Sequence, residues 1–345
     1  MNTLTITWSN GKVKIIDQTR LPTKFQYIYC RDVKTLWHAI RRLSVRGAPA
    51  LGVAAGFGVL LGIRDFKGSG RKKFNQFLKK TCDYIGSSRP TAVNLFYVLD
   101  EMKKVAKSNP DKPVSEIKKL LKQKAMALYE DDRQVCRRMG DFGAALIKNN
   151  AHVMTICNAG ALATVDYGTA LGVMYSAKKK GKKFEVYSCE TRPLLQGSRL
   201  TTWELLRGGI HTTLICDSMA AMVMRDKGIS AVFTGADRIA ANGDTANKIG
   251  TYSLAVLARY HKVPFYVVAP RSTFDLDITS GKDIPIEQRH KKEVMGFAEQ
   301  ITAPKNVGVF NPAFDVTDNK LIAGIVTERG IIRPPFKSNI KKVFK

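Results

Sequence analysis

No apolar run in this chain approaches the ~18–20 residues that a membrane-spanning helix needs. The nearest candidate, Ala48 to Ile63, carries Gly52, Gly56, Gly58 and Gly62 and reads as a buried helix. The first ten residues lack a basic stretch followed by an apolar one, so no secretory signal is expected. Among the six cysteines there is no C-x-x-C pair and no zinc-ligand spacing. They read as reduced thiols of a cytoplasmic protein. The five histidines show no triad spacing, and His152, at the start of a strand, reads as structural. Acidic residues are scarce: 29 stand against 56 lysines and arginines, a formal net charge of +27. That imbalance suggests anionic partners. The lysines are scattered (Lys178-Lys179-Lys180, Lys182-Lys183, Lys341-Lys342), with no aromatic-interleaved basic stripe. No specific nucleic-acid partner and no membrane partner is expected.

What is present is a globular composition, with 44% hydrophobic residues over 345 positions, enough for two domains. Two alternating runs, Leu4 to Trp8 and Val13 to Ile16, flank Asn10-Gly11, which predicts a hairpin. Helical periodicity follows over 33–43, 48–63, 73–85, 92–106 and 114–147, the last as one helix or as two. From residue 152 the pattern becomes an alternation of strand and helix. The strand-like runs are 152–157, 184–189, 212–216, 231–235 and 265–269. The fold class expected is α/β, a parallel sheet with helices on both faces. The domains expected are 1–147, a hairpin with a helical domain, and 148–345. The tail after Gly330, basic and proline-containing, reads as loosely packed or as meeting a partner chain.

The chemistry concentrates at the ends of the predicted strands. Val153 to Ile156 runs into Cys157-Asn158-Ala159-Gly160, which predicts a thiol at the carboxyl edge of a sheet, before a glycine turn and a helix N-terminus. Most cysteines ending a strand are small packed apolar residues, and Cys189 and Cys216 end strands too. No metal site is expected from the three. Val232 to Gly235 ends near Asp237, a carboxyl that serves either as a plain cap or, if desolvated, as a proton shuttle. Arg238 would oppose such a shift if its guanidinium were close. In Asn242 to Gly250, Asp244 or Thr245 suits a helix N-cap, which would put Asn247 and Lys248 in a first helical turn able to hold phosphate. Arg46-Gly47-Ala48-Pro49 and Ser88-Arg89-Pro90-Thr91 place two arginines at helix entrances. Two arginines and one lysine can together close on a phosphate. Gln196, uncharged, suits a hydroxyl rather than a phosphate.

These segments occur in a recognisable order. Arg46-Gly47-Ala48, Ser88 to Leu95, Cys157 to Gly160, Glu190-Thr191-Arg192-Pro193 with Gln196-Gly197, Gly235 to Arg238, Asn247 to Thr251 and Phe310 to Asp315 together resemble the methylthioribose-1-phosphate isomerase family over nearly the whole chain. The resemblance implies a Rossmann-like C-terminal domain, an N-terminal helical domain, a homodimer and no cofactor. The absence of G-x-G-x-x-G after the first parallel strand agrees with the last point. It implies conversion of 5-methylthioribose 1-phosphate to 5-methylthioribulose 1-phosphate in methionine salvage. It further implies that Arg46, Gly47, Ala48, Arg89, Gln196, Asn247 and Lys248 contact substrate, that Asp237 donates a proton and that Cys157 assists at the transition state. Two alternatives stand beside this. One is an isomerase of 5-deoxyribose 1-phosphate or ribose 1,5-bisphosphate. The other is a non-enzymatic subunit like the regulatory subunits of the translation-initiation exchange factor, which resemble the family in fold.

Overall fold

The computed structural model describes residues 4–90, 92–297 and 300–344, so Thr91 of the second arginine motif lies outside the described residues. The chain divides into two compact units. The first runs to Cys136 and includes Ala161–Gly168; the second comprises Arg137–Gly160 and the chain from Thr169 onward.

In the first unit, β1 (Ile6–Ser9) and β2 (Lys12–Ile16) form the expected hairpin, and β3 (Tyr27–Cys30) adds a third antiparallel strand. Asn10 and Gly11 have φ of 49° and 73°, the two positive values that a tight Asn-Gly turn requires. Helix α1 (Val33–Arg41) is capped by Asp32, whose carboxylate accepts the Thr35 N–H at 2.7 Å. Helix α2 (Ala48–Arg64) is buried on all sides, which is why its sequence is apolar throughout rather than amphipathic. Around it lie α3 (Arg71–Gly86), α4 (Val93–Lys107) and α5 (Val114–Gly143). Helix α5 is unbroken over its length. The expected domain boundary at 147/148 falls after it, whereas the compact units part inside it, at Cys136. The segment Ala161–Gly168 belongs to the first unit through Thr5, whose hydroxyl donates to the Ala161 carbonyl at 2.6 Å, and Gln18, whose amide donates to Leu162 at 2.7 Å.

The second unit is built on a seven-stranded sheet of β4 (Ala151–Thr155), β5 (Phe184–Cys189), β6 (Thr212–Ile215), β7 (Ile229–Thr234), β10 (Phe265–Val268), β15 (Gly324–Thr327) and β16 (Gly330–Ile332). Its order is β16-β15-β10-β7-β4-β5-β6, parallel except for β16. Counted along the chain, the parallel strands lie in the order 3-2-1-4-5-6, and the order reverses between β4 and β7. Helices α6 (Ala170–Lys179), α7 (Thr202–Arg207), α8 (Ala220–Asp226) and α9 (Thr251–Tyr260) connect strands of this sheet.

Three expectations are corrected here. The alternation of strand and helix is interrupted after β7 by a second sheet. There β8 (Arg238–Ala240) turns at Gly243 into β9 (Thr245–Lys248), and β11 (Phe274–Asp275) and β14 (Phe314–Thr317) complete the order β11-β8-β9-β14. These strands are only two to four residues long, too short for alternation to set them apart in the sequence. No long helix follows Cys157. The turn leads to one 3-10 turn at Ala161–Ala163, and α6 starts only at Ala170. The tail is not loose: β16 pairs with β15, and α11 (Phe336–Phe344) buries Phe336, Ile340 and Phe344 in the core of this unit. Those three residues, four apart, are one helical stripe.

Candidate active site

Cys157 and Asp237 follow β4 and β7, neighbours in the sheet with Thr155 opposite Phe233. Both groups therefore emerge at one carboxyl edge, on the two strands that flank the reversal in strand order. That is the position where open α/β sheets bind ligands. Gln196 belongs to the loop after β5, the neighbour of β4 on its other side.

The backbone at Cys157 is unusual. Its φ is 64°, a left-handed value that costs a non-glycine residue about 1–2 kcal/mol. Two hydroxyls hold it there. The Cys157 N–H donates to Thr191 Oγ1 at 2.8 Å, and Thr201 Oγ1 donates to the Cys157 carbonyl at 2.6 Å. The thiol is half-buried. The loop after β5 is folded with equal constraint: Thr191 (φ 69°) and Leu195 (φ 57°) are also left-handed, and a β-branched residue there is a marked outlier. Asp217 accepts the Thr191 and Arg192 N–H groups at 2.8 and 2.7 Å. A π-helical turn, Gly197–Thr201, follows. Gly197 packs so closely that an added Cβ would stand 1.7 Å from the Cys189 carbonyl oxygen, which fixes glycine at this position. Left-handed positions clustered at one loop pair mark a site where geometry is held against local preference.

The other thiols are set apart from Cys157. Burial pushes Cys30 and Cys82 up to about 12 and Cys189 upward as well. Cys216 is exposed, and the neighbouring Glu190 carboxylate pushes it up. Among the described residues no group of three or more His, Cys, Asp or Glu side chains is placed to hold a metal ion.

Asp237 is half-buried, and its N–H donates to the Ala246 carbonyl at 2.9 Å, which ties it to the second sheet. The Arg238 guanidinium is engaged by Asp275 at 3.2 Å; burial lowers its pKa, with Asp275 working the other way. Asn247 and Lys248 lie on β9 and not in a helical turn, a correction to the expected phosphate cradle. The Asn247 amide donates to Thr234 Oγ1 (2.7 Å) and Thr251 Oγ1 (3.0 Å), so its Nδ2 is spent and its Oδ1 is the group fit for a ligand donor. The Lys248 ammonium is buried, donates to the Ala313 carbonyl at 2.8 Å and lies 4.7 Å from the Phe314 ring centre. The N-terminus of α9 is also occupied. Asp315 on β14 accepts the Gly250 and Tyr252 N–H groups at 2.7 and 3.0 Å, and burial raises its pKa to about 6. Asp244 is no N-cap. It accepts from the Gly281 N–H, the Asn319 N–H and the Asn242 and Asn319 amides, and these bonds hold its pKa low against burial. Gln196 is 95% buried, at 5% exposure, and its Oε1 has no hydrogen-bond partner. An orphaned acceptor of this kind suits a ligand hydroxyl.

In the first unit, Arg46 directly precedes α2, whose entry is Gly47 (φ 94°) followed by Ala48 and Pro49. An added Cβ at Gly47 would stand 2.5 Å from Ala163 Cα, so a side chain there is excluded on two grounds. Arg89 lies in the linker before α4, which starts at Val93, one residue after the expected start at Ala92. Helices α2 and α4 run parallel in contact, with Gly52 against Asn94 and Gly56 against Val98. Arg46 and Arg89 therefore stand at the same end of one helix pair. Sequence reasoning missed Thr191, Thr201 and Asp315. No spacing marks a residue whose work is to hold another residue's backbone.

Residues 44–334 match the model of the Initiation factor 2 subunit family. A methylthioribose-1-phosphate isomerase of Geotalea daltonii is 51% identical over 99% of both chains. A 5-deoxyribose 1-phosphate isomerase of Moorella thermoacetica is 50% identical over 98% of this chain and 96% of its own. Among solved structures, 5-methylthioribose 1-phosphate isomerase from Pyrococcus horikoshii superposes with a TM-score of 0.91 at 44% identity, covering 99% of this chain and 95% of that one. A structure titled as translation initiation factor eIF-2B, subunit delta, from A. fulgidus superposes at 0.87 with 45% identity, covering 99% and 98%. The chain belongs to the Initiation factor 2 subunit family and, within it, to the methylthioribose-1-phosphate isomerase family.

Proposed function

We propose that this protein is an aldose–ketose isomerase converting 5-methylthioribose 1-phosphate to 5-methylthioribulose 1-phosphate in methionine salvage. The observation that carries this reading is a thiol and a carboxyl on adjacent strands at the reversal of the sheet, in a chain half-identical to isomerases of that name. The substrate's phosphate sits on the anomeric oxygen, so its ring cannot open by the ordinary hemiacetal route. Protonated Asp237 gives its proton to the ring oxygen as the C1–ring oxygen bond breaks, leaving positive charge at C1. Cys157, as thiolate, takes the C2 proton, and the C2–H electron pair forms the C1–C2 double bond of an enol. The thiol returns that proton to C1 while the Asp237 carboxylate takes the O2 proton, which leaves the C2 ketone and restores both groups. Excluding water protects the phosphate during these steps.

In this reading Arg46, Gly47, Ala48, Arg89, Gln196, Asn247 and Lys248 contact the substrate. Arginines suit the phosphate, while Gln196 Oε1 and Asn247 Oδ1 accept from sugar hydroxyls. A Rossmann-like catalytic domain, a helical N-terminal domain, a homodimer and a cytoplasmic site of action belong to the same reading, on the likeness to the family. Reaction in deuterated water tests the route: deuterium at C1 of the product, from a thiol that exchanges with solvent, supports proton transfer, whereas hydrogen alone at C1 is the product both of a hydride shift from C2 and of complete return of the C2 proton.

A second substrate is favoured by the relative named for 5-deoxyribose 1-phosphate, which is as similar as the others. Turnover of 5-methylthioribose 1-phosphate beside its 5-deoxy analogue decides between them. The proposal expects the higher kcat/KM on the methylthio sugar; activity on neither overturns the enzyme reading and returns a binding subunit to consideration.

A further inference from the structure

Behind the Cys157 loop lies a buried polar cluster that the reaction as written does not use. Glu204, on α7, is completely buried. Its carboxyl accepts from the Asn158 amide at 2.9 Å and from the Tyr175 hydroxyl at 3.2 Å. The same Asn158 amide donates to Thr201 Oγ1 at 3.2 Å, and that hydroxyl passes its own proton to the Cys157 carbonyl at 2.6 Å. On the other side, Thr191 Oγ1 accepts the Cys157 N–H at 2.8 Å and donates to the Cys189 carbonyl at 3.0 Å. Thr191, Thr201 and Asn158 are all buried. Each hydroxyl has one proton, and each spends it on a backbone carbonyl. The directions of the bonds are thereby fixed on both sides of Cys157.

A left-handed cysteine relaxes to the ordinary extended or helical region unless its N–H and carbonyl are both held. A rotation about its backbone swings Sγ off its line to the substrate. We propose that Thr201 and Thr191 are positioning residues that fix the direction of the Cys157 thiol, with Thr201 itself oriented through Asn158 by the buried carboxyl of Glu204. The proposal rests on the reading that Cys157 reacts with the substrate. It deepens that reading by assigning the π-helical turn and α7 a role in aiming the thiol.

The test uses the full-length protein with Cys216→Ser as background, so that the exposed thiol does not consume reagent. Thr201→Val keeps the shape and removes the hydroxyl; Thr201→Ser keeps the hydroxyl and removes the methyl. In Thr201→Val we expect kcat to fall about 10- to 100-fold with KM within about 3-fold, since an interaction that aligns the reacting group is expressed in the transition state. We expect Thr201→Ser to stay within about 3-fold of the background in kcat. Alkylation of Cys157 by iodoacetamide, followed on its own peptide, should change in rate in Thr201→Val and not in Thr201→Ser. Thr191→Ala provides an independent arm with the same expected pattern, should Thr201→Val fail to fold. A folded Thr201→Val enzyme with unchanged kcat and unchanged alkylation overturns the proposal. Equal losses in Thr201→Val and Thr201→Ser overturn it too, because the hydroxyl is then not what matters. If instead Cys157→Ser keeps full turnover while Thr201→Val alters alkylation, the thiol is aimed as proposed but is not the reacting group, and it is the catalytic reading that fails.

Discussion

At the scale of the residue, burial sorts chemically identical groups into different work. Four of the six cysteines are buried, and desolvation pushes Cys30, Cys82 and Cys189 up, while Cys157 is half-buried at a strand end. Brief alkylation of the native protein should label Cys216 and Cys157 and spare Cys30, Cys82, Cys136 and Cys189 until the chain is unfolded; peptide mass spectrometry reads this directly, and early labelling of the buried thiols would contradict the burial described. Asp315 shows the same physics in a carboxyl. Its pKa is raised to about 6 from an ordinary value near 3.8. With the folded value above the unfolded one, the folded state binds the proton more tightly. The stability this group contributes is therefore fully present below about pH 4 and is lost as pH rises through 6. The full difference is on the order of 3 kcal/mol. Unfolding of the wild type and Asp315→Asn, compared by denaturant titration at pH 4.5 and 7.5, should show wild type losing ground to the variant at the higher pH. A difference independent of pH would mean that Asp315 titrates normally. Neither effect is legible in sequence, because the desolvating neighbours come from distant segments.

At the scale of the element, legibility followed periodicity. The strand-like run 184–189 is β5 residue for residue, and the apolar stretch beginning at Ala48 is α2, entered through Gly47 and Pro49. Asn10-Gly11 made the hairpin register legible, since few other dipeptides take two positive φ values. The hairpin β8–β9 was not legible. Its residues, Arg-Ile-Ala and Thr-Ala-Asn-Lys, carry no alternation, so Asn247 and Lys248 read in the sequence as a first helical turn. The helix expected after Cys157 failed for another reason: residues 161–168 are drawn into the first unit by Thr5 and Gln18, and tertiary contacts override local preference. The tail failed because its apolar stripe is only three residues long. That correction yields a prediction. Ile340→Ala should destabilise the protein by about 2–4 kcal/mol, the usual cost of truncating a buried aliphatic side chain, seen as a lower denaturant midpoint; an unchanged midpoint would mean that α11 does not pack as described. Gly197→Ala carries a sharper expectation. With no room for a methyl group against the Cys189 carbonyl, the loop after β5 must shift. Turnover should fall by at least about 10-fold even where the protein stays folded, and a variant with wild-type turnover would show the loop to be adaptable.

At the scale of the whole molecule, two properties need separate accounts. The first is the charge of +27, which neither the family nor the site requires. Such a surface should bind polyanions without sequence preference, and the binding should fall steeply as salt rises from 50 to 200 mM, by about 10-fold or more. Fluorescence anisotropy on two unrelated DNA duplexes reads this, and salt-resistant binding to one duplex alone would point to a specific nucleic-acid role. The second is the catalytic reading. It depends on a thiol and a carboxyl, eighty residues apart, meeting at one edge of one sheet. The most direct test is turnover of 5-methylthioribose 1-phosphate by the wild type, Cys157→Ser and Asp237→Asn at saturating substrate. The account predicts that each substitution lowers kcat by about 100-fold or more while substrate still binds within a few-fold of the wild-type affinity. Wild-type turnover in either variant would contradict it.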